Sequence, residues 1–230
     1  MKLTKGKKEK LDLEVAILIT NKIKDLAKEK SKITFAIAGG NSVSGIFENL
    51  KKQNIKWEKV HIFMVDERLV ALDSPQSNFK QAEDIFISYL VKQNKISKFN
   101  LHPYIYFNLP DEQGINAYKN ELREFSHKFD IVLLGSGEDG HIASLYPNHE
   151  TIKNSSEGFI ITHDSPKKPS SRISASRKLL EKSQTAILLF FGKQKQKAYE
   201  NFMNKKLDVN DCPAKIINKI EDSYVFTDLN

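Results

Sequence analysis

The segment Gly135-Ser136-Gly137-Glu138-Asp139-Gly140-His141 has the residue types and spacing best suited to chemistry. Its glycines let a ligand approach the backbone closely, and it ends in a histidine two residues from a carboxylate. An imidazole presented in this way can serve as a general base near neutral pH. The reading places a short helix at His141, whose N-terminal dipole would disfavour the charged ring. A lone histidine more often caps or packs; the glycine approach and Asp139 favour the functional reading. The same segment matches the GxGxxG spacing of dinucleotide sites, with Asp164 standing further on as a ribose-binding acid could. Against that match, Pro147 cuts the following helix short and a polar stretch, 148–158, intervenes. A dinucleotide fold needs a full helix packed on the sheet there.

Four further segments carry polar chemistry. Gly39-Gly40-Asn41-Ser42 lies between an apolar run and an amphipathic one. The free N–H groups of a helix start there, with the Ser42 hydroxyl, suit an anion such as phosphate; a capped tight turn is the plainer alternative. Asp66-Glu67-Arg68 follows directly on an apolar run, where three charges suit a site better than a core. Its plainer alternative is a solvated loop whose charges pair with one another. The stretches 165–172 and 192–195 bring cations, among them Arg172 and Lys195. The remaining histidines, His61, His102, His127, His149 and His163, show no metal-ligand spacing. Cys212, before Pro213, has no activating partner visible in sequence and is read as structural.

The elements that must position these segments follow from periodicity. Helices are expected from Lys8 to Lys30, after Ser42, from Ser77-Asn78, over Asp111 to Ser126, and after Lys195 to Met203. Apolar runs of strand length cover Ile33 to Ala38, Val60 to Val65, Phe129 to Leu134, Phe159 to Thr162, Thr185 to Phe191 and Tyr224 to Thr227. Lys98 to Pro110 is expected to be irregular. The alternation predicts one α/β domain spanning residues 1–230, with a mostly parallel sheet. Ligands of such sheets bind beyond the carboxyl ends of the strands. All five polar segments follow predicted strands, so a parallel sheet would gather them on one rim.

Bulk properties narrow the classes. The chain has 230 residues, 40% hydrophobic and 28% charged, as in ordinary globular proteins. No run is long enough to span a bilayer, no signal peptide is visible, and a single cysteine suits a reducing compartment. A cytoplasmic setting without membrane attachment is expected. The net charge of +7 favours anionic partners. The excess lysines are scattered over helices as solvated faces, so a small phosphorylated metabolite is favoured over nucleic acid.

Taken together, AIAGGNS, VDERLV with Ser77-Asn78, LLGSGEDGHIASLYP, SPKKPSSRIS, GKQKQKA and CPA resemble the 6-phosphogluconolactonase family. That family lies within the larger group that includes glucosamine-6-phosphate isomerase/deaminase. The resemblance runs nearly end to end and is most specific in the loop through His141. It implies a Rossmann-like α/β/α sandwich and hydrolysis of the lactone in the oxidative pentose phosphate pathway, without metal or other cofactor. Carried over by motif, His141 would be the general base, with Asp139 beside it. Gly39, Gly40, Asn41, Ser42, Asp66, Arg68, Arg172 and Lys195 would line the substrate site, and Arg172 and Lys195 would hold the phosphate. Lactonases usually have Gly-Gly-Ser-Thr where this chain has Gly-Gly-Asn-Ser. Ile142 matches the deaminases, where lactonases usually have Thr. The deaminases, however, run on to Phe-Asn-Glu-Pro; here Ser144-Leu145-Tyr146-Pro147 puts Tyr146 in place of the relay carboxylate, which favours the lactonase. A GxSxG nucleophile elbow is absent, which argues against an acyl-enzyme. The alternatives are the isomerase/deaminase and a non-catalytic sugar-phosphate-binding protein on the same fold.

Overall fold

The computed structural model describes residues 1–106 and 111–229. Its elements run β1 (Lys2–Lys5), α1 (Lys8–Glu29), β2 (Ile33–Ile37), α2 (Asn41–Leu50), β3 (Val60–Met64), β4 (Asp66–Arg68), α3 (Asn78–Ala82) and α4 (Ser88–Lys92). They continue with β5 (Leu101–His102), α5 (Asp111–Phe125), β6 (Ile131–Gly135), α6 (Glu150–Lys153), β7 (Phe159–Thr162), β8 (Arg172–Ala175), α7 (Arg177–Glu181), β9 (Thr185–Phe190), α8 (Gln196–Met203) and β10 (Asp222–Thr227). A π-helical turn, Glu83–Ile87, joins α3 to α4.

The main sheet has seven parallel strands in the order β1-β10-β9-β6-β2-β3-β5. Its central strands are apolar on both faces because both are covered. Ile33, Phe35 and Ile37 of β2 pack with α1, α2 and the α3–α4 segment. Ala36, and Val132 and Leu134 of β6, point the other way, into a core shared with α5, α7 and α8. This is the expected α/β/α sandwich. Beyond β2 the chain proceeds to β3 and β5 on one side, and beyond β6 to β9 and β10 on the other. The switch between adjacent β2 and β6 opens a crevice at their carboxyl ends, where sheets of this kind bind ligands.

Several elements depart from expectation. Asp66–Arg68 is not a loop but strand β4, and β7 does not join the parallel sheet. Both pair with β8 in a second, antiparallel sheet of order β4-β8-β7. The Ala175 amide bonds the Val65 carbonyl at 2.7 Å, welding this small sheet to the end of β3. Strand β1 does not stand out in the sequence, since a four-residue edge strand with a lysine at each end has little apolar signal. Within the stretch from Lys98, a 3-10 turn leads into the two-residue β5; the last four residues, 107–110, lie outside the described ones.

Candidate active site

The crevice is a cavity of about 390 Å³. Three loops come from the parallel sheet: Gly39 to Ser42 after β2, Gly135 to His141 after β6, and the turn after β9 that carries Lys195. The other wall is the small sheet, where Arg68 of β4 and Arg172 of β8 are directly paired. Gly39, Gly40, Asn41, Ser42, Asp66, Arg68, His141, Arg172 and Lys195 all line this one space. Asp139 stands behind His141. The segment 165–172 reaches the rim as the β7–β8 connection of the second sheet, not from a parallel strand.

The expected helix at His141 is not there. The chain makes a tight turn with an isolated bridge between Ile142 and Leu145, and Ala143 has φ +49°. A dipole therefore does not set the imidazole; Asp139 does. Its Oδ1 lies 2.5 Å from His141 Nδ1 and also accepts the His141 backbone N–H at 3.2 Å. Two glycines make this possible. A Cβ on Gly137 would fall 2.0 Å from the imidazole, so the ring lies directly over that backbone. Gly140 turns with φ +89°, and a side chain there would strike Cys212 Sγ. Cys212 is buried, and burial pushes its thiol up to about 11, which fits a structural role. Burial opposes the charge on Asp139, but the bond and charge of His141 outweigh it and hold the carboxyl down at about 2.

The carboxylates after β3 do not pair with the Arg68 guanidinium. Asp66 Oδ2 accepts the Ser144 hydroxyl at 2.8 Å, which ties it to the turn after His141. Arg68 donates from Nη1 to the Gln76 carbonyl, while its buried Nε has no hydrogen-bond partner. Arg172 is 4% exposed and grips the connection before it: Nε donates to the Pro169 carbonyl at 2.7 Å and Nη2 to that of Lys168 at 3.1 Å. Burial pushes its guanidinium down from the ordinary value; Asp66 opposes this and Arg68 reinforces it. Burial likewise lowers Lys195, with Glu138 and Asp139 opposing and Lys167 adding to the effect. Cations that burial and like charges disfavour gain most from an anionic ligand. In the first loop, the Gly40 N–H is not free for a ligand, because it donates to Gln81 Oε1 at 2.7 Å.

Asn78, Glu138, Tyr146, Lys167, Lys168 and Gln194 also line the cavity. Lys167 and Lys168 sit in a stretch already marked by its charge. Asn78 reads in sequence as a helix start and as part of the resemblance, and nothing local reveals that it faces Gly39. Tyr146 is buried, its ring centroid 4.8 Å from that of His141 and its hydroxyl 2.8 Å from Ser165 Oγ. Among the described residues, no group of three or more His, Cys, Asp or Glu side chains is placed to hold a metal ion. No described helix is long and apolar enough to cross a membrane.

Comparison with known proteins agrees with this fold. Residues 6–226 match the family model described as glucosamine-6-phosphate isomerases/6-phosphogluconolactonase. A 6-phosphogluconolactonase of Borreliella burgdorferi is 35% identical over 202 residues, 87% of this chain and 86% of that protein. One from Thermotoga maritima is 34% identical over 77% of each chain. The crystal structure of a Thermotoga maritima 6-phosphogluconolactonase superposes with a TM-score of 0.84 at 29% identity, covering 99% of this chain and 98% of that one. A monomeric glucosamine-6-phosphate deaminase superposes with a TM-score of 0.82 at 20% identity, a likeness of fold alone. The chain belongs to the glucosamine-6-phosphate isomerase/6-phosphogluconolactonase family.

Proposed function

We propose that this protein hydrolyses 6-phosphogluconolactone to 6-phosphogluconate in the oxidative pentose phosphate pathway, with His141 as general base. The observation that carries the reading is the Asp139–His141 pair set in the wall of a cavity that also holds Lys195, Arg172 and Arg68. With Nδ1–H donated to Asp139, the lone pair of the neutral ring is on Nε2. Water attacks the lactone carbonyl carbon as Nε2 takes its proton, leaving a tetrahedral oxyanion. Collapse breaks the bond to the ring oxygen, which receives that proton from the imidazolium, and the ring is neutral again. Asp139 steadies the charged ring between the two transfers. Lys195 and Arg172 hold the phosphate with the start of α2, so that the carbonyl rests over the base; such positioning lowers the barrier substantially. Arg68, which lines the same cavity, steadies the developing oxyanion.

Tyr146 favours the lactonase over the deaminase. It stands where the resemblance gives the deaminases a carboxylate, and its phenol is bonded to Ser165. We place the activity in the cytoplasm, acting on a small phosphorylated substrate rather than on nucleic acid. The test is hydrolysis of freshly generated 6-phosphogluconolactone without added metal or nucleotide, with glucosamine 6-phosphate in parallel. Lactone hydrolysis without ammonia release is expected; ammonia release without lactonase activity would reverse the assignment.

A further inference from the structure

One buried carboxylate beside the site organises a neighbouring helix. Glu67, 2% exposed, accepts the Arg68 and Asn78 N–H groups at 2.7 Å on Oε1. Its Oε2 accepts the Phe79 N–H at 2.8 Å and the Ser77 hydroxyl at 2.9 Å. Burial pushes this carboxyl up from its ordinary range against the pull of the four donors. Such a fully bonded group fixes the start of α3 to β4, since each donor would lose its partner if they separated.

From that anchored start, two side chains of α3 reach the glycine loop. Asn78 donates from Nδ2 to the Asp66 carbonyl at 2.9 Å and lies flat against Gly39, where a Cβ would meet its Oδ1 at 2.2 Å. Gln81, one turn on, accepts the Gly40 N–H on Oε1 and turns its Nε2 toward Ser44 Oγ, 3.4 Å away. Gly40 has φ +92°, a conformation open to glycine, and directly precedes the first residue of α2. The bond from Gln81 is therefore made at the hinge that aims the α2 N-terminus, with Asn41 and Ser42, at the cavity.

We propose that Gln81, anchored through Glu67, is a positioning residue that holds the Gly39–Ser42 loop ready for the substrate phosphate. The claim rests on the functional reading above and adds to it a residue outside the cavity wall. If the contact merely stabilised the fold, its loss would lower stability without regard to ligand.

The test compares wild type, Gln81→Met and Gln81→Glu. Gln81→Met keeps the volume and removes the acceptor. It should raise KM for 6-phosphogluconolactone, and Kd for 6-phosphogluconate by calorimetry, by about three- to ten-fold, as for one lost hydrogen bond. The kcat should stay within about two-fold, and hydrolysis of unphosphorylated gluconolactone should not change, because the base lies on another loop. Amide exchange at Gly40 should accelerate in Gln81→Met and stay slow in Gln81→Glu, which keeps an acceptor. Equal losses for both lactones, or unchanged KM and Kd in Gln81→Met, would overturn the proposal. Should wild type bind 6-phosphogluconate yet hydrolyse nothing, the catalytic reading would fall while the Kd ratio still judged Gln81. Absence of that binding in wild type would overturn both.

Discussion

Oδ1 of Asp139 bonds both the Nδ1 atom and the backbone N–H of His141, at 2.5 and 3.2 Å, so one carboxylate oxygen fixes the ring and the turn that carries it. With its carboxyl held at about 2, Asp139 is ionised throughout the range in which an imidazole titrates.

Asp139→Asn should therefore lower the rate. An Asn at 139 offers an N–H to Nδ1 and favours the wrong tautomer, so kcat should fall by about 10²- to 10⁴-fold. A folded Asp139→Asn protein with a near-normal kcat would show that Asp139 does not set the imidazole.

Much of this site was legible because its residues lie in loops that follow strands. Gly135 to His141 ends a five-residue apolar strand, so the sequence alone puts His141 at the sheet's carboxyl rim. What orients the ring was not legible: the glycine-rich approach after a strand suggests a short helix starting at His141, whereas Asp139, two residues back, does the holding. The second sheet was hidden because β4 is three charged residues long and its partner β8 lies more than a hundred positions away. Glu67 looked like a solvated charge for the same reason. Its four donors include backbone amides of α3, which no local pattern reveals.

Lys195 and Arg172 should separate in their effects. Lys195→Ala removes a half-buried cation that grips no backbone in the way Arg172 does. It should weaken phosphorylated lactone by about 10- to 100-fold in KM, the range for one charge-assisted hydrogen bond. Unphosphorylated lactone should be unaffected. Arg172→Ala should show the same preference but also lower Tm, because the Pro169 and Lys168 carbonyls lose their donor. Equal loss for both lactones in Lys195→Ala would place the phosphate elsewhere.

Away from the site, His61 predicts how acid affects stability. Its Nδ1 lies 2.9 Å from His102 Nε2, and His102 Nδ1 lies 2.7 Å from Glu121. Burial, with the charges of His102 and Lys32, lowers His61 to about 4. An unfolded chain would protonate it near 6.5, so between about pH 6.5 and 4 the unfolded state binds the extra proton. Stability should fall as pH drops through that window, and His61→Gln should flatten the fall. Urea midpoints at pH 7, 5.5 and 4.5 measure this; a wild-type midpoint constant across the window would contradict it.

The most direct test of the whole account is single-turnover hydrolysis of 6-phosphogluconolactone by wild type and His141→Ala, corrected for the lactone's spontaneous opening. His141→Ala should be folded and bind 6-phosphogluconate within a few-fold of wild type, since Lys195 and Arg172, proposed to hold the phosphate, are on other segments. Its hydrolysis rate should be lower by about 10²- to 10⁴-fold, the usual share of general acid–base catalysis. A folded His141→Ala protein with a near-normal rate would contradict the assignment of the base.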